Sequence, residues 1–473
     1  PPGLGNWDNS CYQNCIIQGL ASLHSLKDFL SAPSMNFHRL EENSTIHSLQ
    51  ETLLKLTDPA NGGRQLWLPG KLKSMSSWQQ QDAQEYFSKI MEQMDQEARK
   101  ATTINSLLLG LKDIPDSNET LPDAETASHL QSLRLHNPLE GMLAQRVGCI
   151  NCGYSEGLSL IPFNCLTVAL GRSHLYDIRD CLDEYTKLEP IEGVQCAKCS
   201  VQHHLEGCMR MATEKKDGSS LDTFHQAVQT RVNTLRAALN DEDFSDDTLT
   251  KKCKIPKRQW VSSTKTRQAV IARPPQCLAF HVNRSVFDEM TGTQWKNYAA
   301  VQFPLFLDLD EWGLGSKVVS KPMQEPPSET PNIIPGEEAW IMNPNVTMLP
   351  NGGDQSSSEP HWRYRLRAVI THYGRHENGH YICFRKHSGG LGSDSDGDTP
   401  TQENAEASKD SWWQLSDEDV VEVSEDNVLS QGGVFMLFYE QVPVDGISVS
   451  PDQQQDHSTA EDVHITPPLT EAD

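Results

Sequence analysis

Cys11 lies in the stretch NWDNSCYQNC (residues 6–15), just ahead of an apolar run, where a helix would begin. A thiol there is either a small buried hydrophobe or a nucleophile whose thiolate the positive helix end favours. A cysteine nucleophile needs a base, and the base can stand far away in the chain. Among seventeen histidines, His380 is the best placed. In THYGRHENGHYICF (371–384) a strand runs into a Gly-rich loop, and Gly379, His380 and Tyr381 open the next strand. Gly379 supplies backbone freedom beside the ring, which the strand then fixes. His372 and His376 are weaker candidates. The imidazole also needs a group that orients it. WWQLSDEDV (412–420) offers both Ser416 and Asp417. Asn6, five residues before Cys11, can curl its amide back toward a developing oxyanion. These types in this order point to thiol-dependent acyl transfer.

A second group of cysteines has a different use. CINC (149–152) and CAKC (196–199) are separated by 43 residues in a strand-rich segment. Cys149, Cys152, Cys196 and Cys199 match a tetrahedral zinc ribbon, each pair clasping one side of the ion. Four thiolates leave no open position, so the zinc is structural and no catalytic cofactor is expected. Cys165, Cys181, Cys208, Cys253, Cys277 and Cys383 have no partner pattern and read as packing residues.

Several elements must position these groups. Ile16, Leu20, Leu23 and Leu30 predict a helix over 11–30. Ala83, Tyr86, Phe87, Ile90, Met91 and Met94 form a full helical stripe, with Asp82 as N-cap and Glu85 three residues on, as in a capping box. Short strands are expected through 144–300, interrupted by a helical insertion at 210–256 whose stripe runs from Leu221 to Leu239. RYRLRAVI (363–370), YICF (381–384) and VFMLFY (434–439) read as strands. The segments 316–360 and 387–410, rich in Pro, Ser, Gly and acids, are expected to be disordered insertions.

The whole chain has 473 residues, 37% of them hydrophobic, and a net charge of −25. That length suggests two or three subdomains or large insertions. The acidic balance argues against nucleic-acid binding and favours basic partners. Part of it sits in the tail, where residues 445–473 hold seven acids and no Lys or Arg. No stretch approaches a membrane span, so no membrane contact is expected within the segment. Twelve cysteines at irregular spacings suit a reduced, intracellular compartment.

The motifs resemble those of the ubiquitin-specific protease family. GLGNWDNSCYQNC (3–15) is similar to its Cys box, QQDAQEYF (80–87) to its QQDAxEF box, and YRLRAVITHYGRHENGHY (364–381) to its His box. PPQCLAFHVNR (274–284) with VQFP (301–304) resembles its palm strands, and WWQLSDEDV its closing triad strand. The resemblance spans about residues 3–440. It implies an α+β fold: a papain-like thumb (1–143), fingers and palm strands (144–300) and palm (301–442), followed by an acidic tail (443–473). It implies Cys11 as nucleophile, His380 as base and Asn6 as oxyanion donor. Asp82 and Gln81, with Gly379 and Tyr381, would hold the ubiquitin tail, and zinc would sit in the fingers. The implied activity is hydrolysis of isopeptide or peptide bonds after the C-terminal glycine of ubiquitin. The alternative is a weak or inactive ubiquitin-binding scaffold of the same fold. Ubiquitin and ubiquitinated proteins are the expected partners, and the chain is expected to be a monomer.

Three positions depart from the family pattern. Asp8 replaces a usual Gly, Ser10 a usual Thr, and Ser416 stands where most members carry Asp or Asn. The family's mitochondrial outer-membrane member is similar in having Ser there. A cytosol-facing location follows, with attachment to that membrane through a segment preceding Pro1. Register from Trp412 and Leu415 favours Ser416 facing His380, with Asp417 the alternative third member, and Ser416→Ala is expected to cost more than Asp417→Ala.

Overall fold

The computed structural model describes residues 1–7, 9–32, 37, 40–75, 82–112, 137–213, 221–317, 339–350, 362–374, 379–388 and 410–442. The expectations for Asp8, Gln81, His376 and the tail 443–473 lie outside the described residues.

The helices that matter for the site are α1 (Cys11–Ala21), α2 (His24–Ser31), α3 (Thr45–Thr57) and α4 (Ala83–Lys112). The single helix expected over 11–30 is two. Ser22 donates its hydroxyl to the Gly19 carbonyl (2.6 Å), and Leu23 is extended. Beyond the break, the Glu440 carboxylate accepts the Ser25 N–H (2.7 Å) and caps α2. A side chain more than 400 positions away therefore caps the helix that follows the break. In α4 the apolar stripe behaves as its spacing requires: Tyr86, Phe87, Ile90, Met91 and Met94 are fully buried. Each such burial contributes about 1.5–3 kcal/mol. Asp82 Oδ1 accepts the Gln84 N–H (2.9 Å), as an N-cap does, while Glu85 pairs with Lys89 (2.8 Å).

Eleven strands carry the two main sheets. They are β1 (Gly141–Cys149), β2 (Ser155–Phe163), β3 (Leu166–Ala169), β4 (Glu189–Cys196), β5 (Val261–Arg273), β6 (Cys277–Asn283), β7 (Arg363–Gly374), β8 (Gly379–Ser388), β9 (Asp410–Ser416), β10 (Asp419–Val423) and β11 (Val434–Gln441). The larger sheet has the order β10-β9-β8-β7-β11-β6-β3, with Phe306–Asp308 added beside β7. Its central strands are apolar on both faces because both are covered. One face packs on α1 to α4 through Ile370, Cys383, Met436 and Phe438. The other buries Leu366, Val369, Phe384, Leu437 and Tyr439.

The smaller sheet has the order β2-β1-β5-β4. Both β1 and β4 run antiparallel to β5, so their C-terminal ends lie at the same end of the sheet. The helical insertion begins earlier than the stripe suggests: α5 (Ala197–Thr213) leaves directly from Cys196, and α6 (Leu221–Asn240) packs back on it. Cys208 and Cys253 belong to the core of this hairpin, with Val232, Leu235 and Leu249.

The expected disorder of 316–360 does not hold for residues 339–350. Arg146 is buried and donates to the Ile341 and Val346 carbonyls (both 2.7 Å). Thr266 donates to the Pro344 carbonyl (2.7 Å), and Met348 is fully buried. A polar segment is ordered here by a guanidinium that needs acceptors. Likewise β8 reaches Ser388 and β9 begins at Asp410, so the ends of 387–410 are strand.

Candidate active site

Cys11 is the first residue of α1 and only 3% exposed. The helix end brings its thiol against the backbone N–H of Tyr381, the residue after His380. Burial pushes the thiol up, and the Asp417 carboxylate adds to this against the N–H groups of Tyr381, Tyr12 and Cys11 itself. The depressed thiol expected at a helix start is not found at Cys11. The dipole is present, but desolvation outweighs it.

His380 opens β8 opposite Tyr373. Its Nε2 lies 2.8 Å from Ser416 Oγ, at the end of β9. Asp417, one residue on, points elsewhere. Its φ of 54° is in the left-handed region, at the tight turn between β9 and β10 where Ser416 pairs with Asp419. The turn swings the carboxylate under the Cys11 loop. Oδ2 accepts from Asn6 Nδ2 (2.7 Å), and Oδ1 accepts from Asn14 Nδ2 (2.8 Å). The Asp417 carbonyl also takes the Leu4 N–H (2.9 Å). The other end of the Asn6 amide is fixed too, because Oδ1 accepts from the Ser10 N–H (2.9 Å). Asn6 is thus held at both ends with its NH2 group beside the start of α1.

Gly379 and Tyr381 flank the base and are packed against neighbours of their own. A Cβ on Gly379 would fall 1.8 Å from His372 Nε2, so the glycine is needed for clearance and not for an unusual φ. The His372 ring stacks on Tyr381 at 4.3 Å and 15°. That makes His372 a buried wedge behind the base. Tyr381 is 4% exposed, and burial, with Asp82 adding to it, pushes its phenol up while the Ala83 N–H opposes this. It joins the start of α4 to the start of α1. Asn14 escapes the sequence reading altogether. The available signal is a buried amide three residues after Cys11 on a helix that is buried on every side.

The four knuckle cysteines meet because β1 and β4 end side by side. Cys149 and Cys199 Sγ are 3.6 Å apart, as are those of Cys152 and Cys196, and all four lie within 4.8 Å of one another. Tetrahedral zinc with Zn–S near 2.3 Å needs sulfurs about 3.8 Å apart, so the cluster fits a structural Zn2+. Ser263, on β5 between the two knuckles, sits 2.8 Å from Cys149 Sγ.

The sequence profile of the family described as ubiquitin carboxyl-terminal hydrolase matches residues 2–439. Ubiquitin carboxyl-terminal hydrolase 1 of Saccharomyces cerevisiae is 23% identical, over 88% of this chain and 66% of its own length. Ubiquitin carboxyl-terminal hydrolase 30 of Xenopus tropicalis is 23% identical, over 93% and 81%. The human protein of that name is 22% identical, over 93% and 84%. Among solved structures, the SAGA Ubp8/Sgf11/Sus1/Sgf73 DUB module bound to ubiquitin aldehyde shares the fold at a TM-score of 0.50 and 16% identity, covering 94% of this chain and 70% of the other. Among the described residues no helix is long and apolar enough to cross a membrane.

Proposed function

Because this chain belongs to the ubiquitin carboxyl-terminal hydrolase family, we propose that it cleaves the bond after the C-terminal glycine of ubiquitin with Cys11 as nucleophile. Asp82, at the start of α4 beside Tyr381, holds the extended ubiquitin tail. His380 takes the thiol proton as Sγ attacks the glycine carbonyl carbon. The tetrahedral oxyanion is met by the Asn6 amide and the N–H groups at the start of α1. Collapse of this intermediate expels the lysine amine, which leaves with the proton from His380, and a thioester remains on Cys11. Water, deprotonated by His380, then releases ubiquitin and restores the thiol.

Two carboxyl-side groups share what one acid commonly does alone. Ser416 orients the imidazole through Nε2, which leaves Nδ1 for the thiol. Asp417 fixes the donor on the oxyanion side by gripping the Asn6 amide. A raised resting thiol supports activation by the base within the complex over a standing thiolate. The observation that carries the reading is the single cluster formed by Cys11, His380, Ser416, Asn6 and Asp417 from three distant segments. A complete set of this kind favours an enzyme over a binding scaffold. Cysteines grouped as a zinc knuckle set suit a reducing compartment, and Ser416 supports kinship with the mitochondrial outer-membrane member. The catalytic unit acts as a monomer.

Hydrolysis of ubiquitin carrying a C-terminal fluorophore tests this reading. Turnover by the wild type, lost in Cys11→Ala with ubiquitin binding retained, is expected. Equal turnover in the variant would remove Cys11 from the role.

A further inference from the structure

At the far end of α1, about 16 Å along the helix from Cys11, lies a polar cavity of about 280 Å3. It is lined by Ser22, Lys27, Arg367, Arg385, Lys386 and His387. Such a cationic concentration is unexpected on a chain of net charge −25. We propose that this cavity, between the ends of α1 and α3 and strand β8, is a binding site for a small phosphate-class oxyanion.

Two of the four cations are matched by acids. Arg367 Nε lies 2.9 Å from Glu440, and Lys386 Nζ 3.0 Å from Glu425. Arg385 and Lys27 have no carboxylate at ion-pair distance among the described residues. Arg385 is fully buried, and its only hydrogen bond among the described residues runs from Nη2 to the Leu56 carbonyl (2.9 Å). Its Nε and Nη1 are buried without a partner. A guanidinium is not left in that state without cost, since its N–H groups lose water and gain nothing.

The bland alternative is that Arg385 only neutralises helix ends. The C-termini of α1 and α3 meet here, and each contributes roughly half a negative charge. Together they offset about one of the two unmatched cations. Roughly one positive charge remains, along with the unused donors of Arg385. A tetrahedral oxyanion seated in the cavity cancels that charge. The volume equals roughly nine waters at about 30 Å3 each, room for phosphate or pyrophosphate with some hydration. Such a ligand would tie α1, which carries the nucleophile, to β8, which carries the base.

Inorganic phosphate and pyrophosphate, titrated against chloride at constant ionic strength, test the site. Calorimetry should give one anion per chain, and the melting temperature should rise saturably with the anion. Arg385→Met should abolish both effects. Because that variant can fail to fold, Lys27→Met, at a half-buried position, provides the second arm. It should weaken pyrophosphate binding by about tenfold with an unchanged circular dichroism spectrum. Identical heats and melting curves in phosphate and chloride would overturn the proposal, as would wild-type affinity in a folded variant.

Discussion

The catalytic junction and the fingers solve one problem in opposite ways. Both bring together side chains from remote segments. At the junction, Cys11, His380 and Ser416 are placed by a helix packed on a sheet, and no bond between them is needed to hold the fold. In the fingers, Cys149, Cys152, Cys196 and Cys199 are themselves the fastening, since four converging thiolates have a reason to converge only around a metal. A group that does chemistry is therefore dispensable to the fold, and a group that holds the fold does no chemistry. Substitutions should separate the two regions by this rule.

The largest expected effect is on turnover alone. Cys11→Ala and His380→Ala should each lower kcat by at least about a thousandfold, with melting temperature within about 2 °C of wild type. Steady-state kinetics beside differential scanning calorimetry checks this. A cooperative loss of fold would place these residues with the fasteners.

Next is the reverse case. Protein purified without added zinc should carry near one zinc per chain by metal analysis. Cys149→Ser should lose it and melt the fingers, because binding a structural zinc is folding free energy. Hydrogen exchange should rise along β1, β4 and β5 and remain slow in α1 and β8. Metal-free protein with protected fingers would contradict the assignment.

Within the junction, the two neighbours at the β9 turn should differ. On strand alternation alone Ser416 is the costlier loss; from the contacts of the two side chains we propose the opposite order. Ser416→Ala removes one neutral hydrogen bond to the imidazole, worth about 1 kcal/mol, so kcat should fall about five- to tenfold. Asp417→Ala releases Asn6 and leaves Asn14 without its carboxylate, so a fall of about a hundredfold is expected. Asn6→Ala combined with Asp417→Ala should be little worse than either alone, because they act as a unit. Additive losses would put Asp417 elsewhere in the mechanism.

The smallest effect concerns Glu440, which caps α2 behind the junction. Burial opposes its charge, but hydrogen bonds from His24 and the Ser25 N–H, with the Arg367 guanidinium, hold its carboxyl down to about 2. A depressed carboxyl contributes stability that is full above the unfolded value, about 4.3, and is lost as pH falls toward 2. Glu440→Gln should be less stable at pH 7 and should lose less across that acid window. Parallel melting curves for the two proteins from pH 5 to 2 would show that the cap contributes nothing.

The contrast also explains what the sequence revealed. The cysteine knuckles, the α4 stripe and the order of the Cys, His and triad boxes are local patterns, and local patterns are readable. Three features were not. The cap of α2 after the break at Ala21 comes from Glu440, and the Ile341 and Val346 carbonyls are held by Arg146, both supplied from far away in the chain. The destination of the Asp417 side chain depends on a left-handed φ at a non-glycine residue, which strand alternation does not anticipate. At Gly379 the ring of His372 fills the space a Cβ would take, and nothing in the spacing of GRHENGHY places that ring there.

The central claim is that Cys11 is the attacking atom of a cluster assembled for ubiquitin's C-terminus. Ubiquitin bearing a C-terminal electrophile tests it most directly, with the adduct located by peptide mass spectrometry. One ubiquitin per chain on Cys11, absent in Cys11→Ala and slowed in Asp417→Ala, is the predicted result. Attachment to any of the other eleven cysteines, or no adduct on folded, zinc-loaded protein, would contradict it.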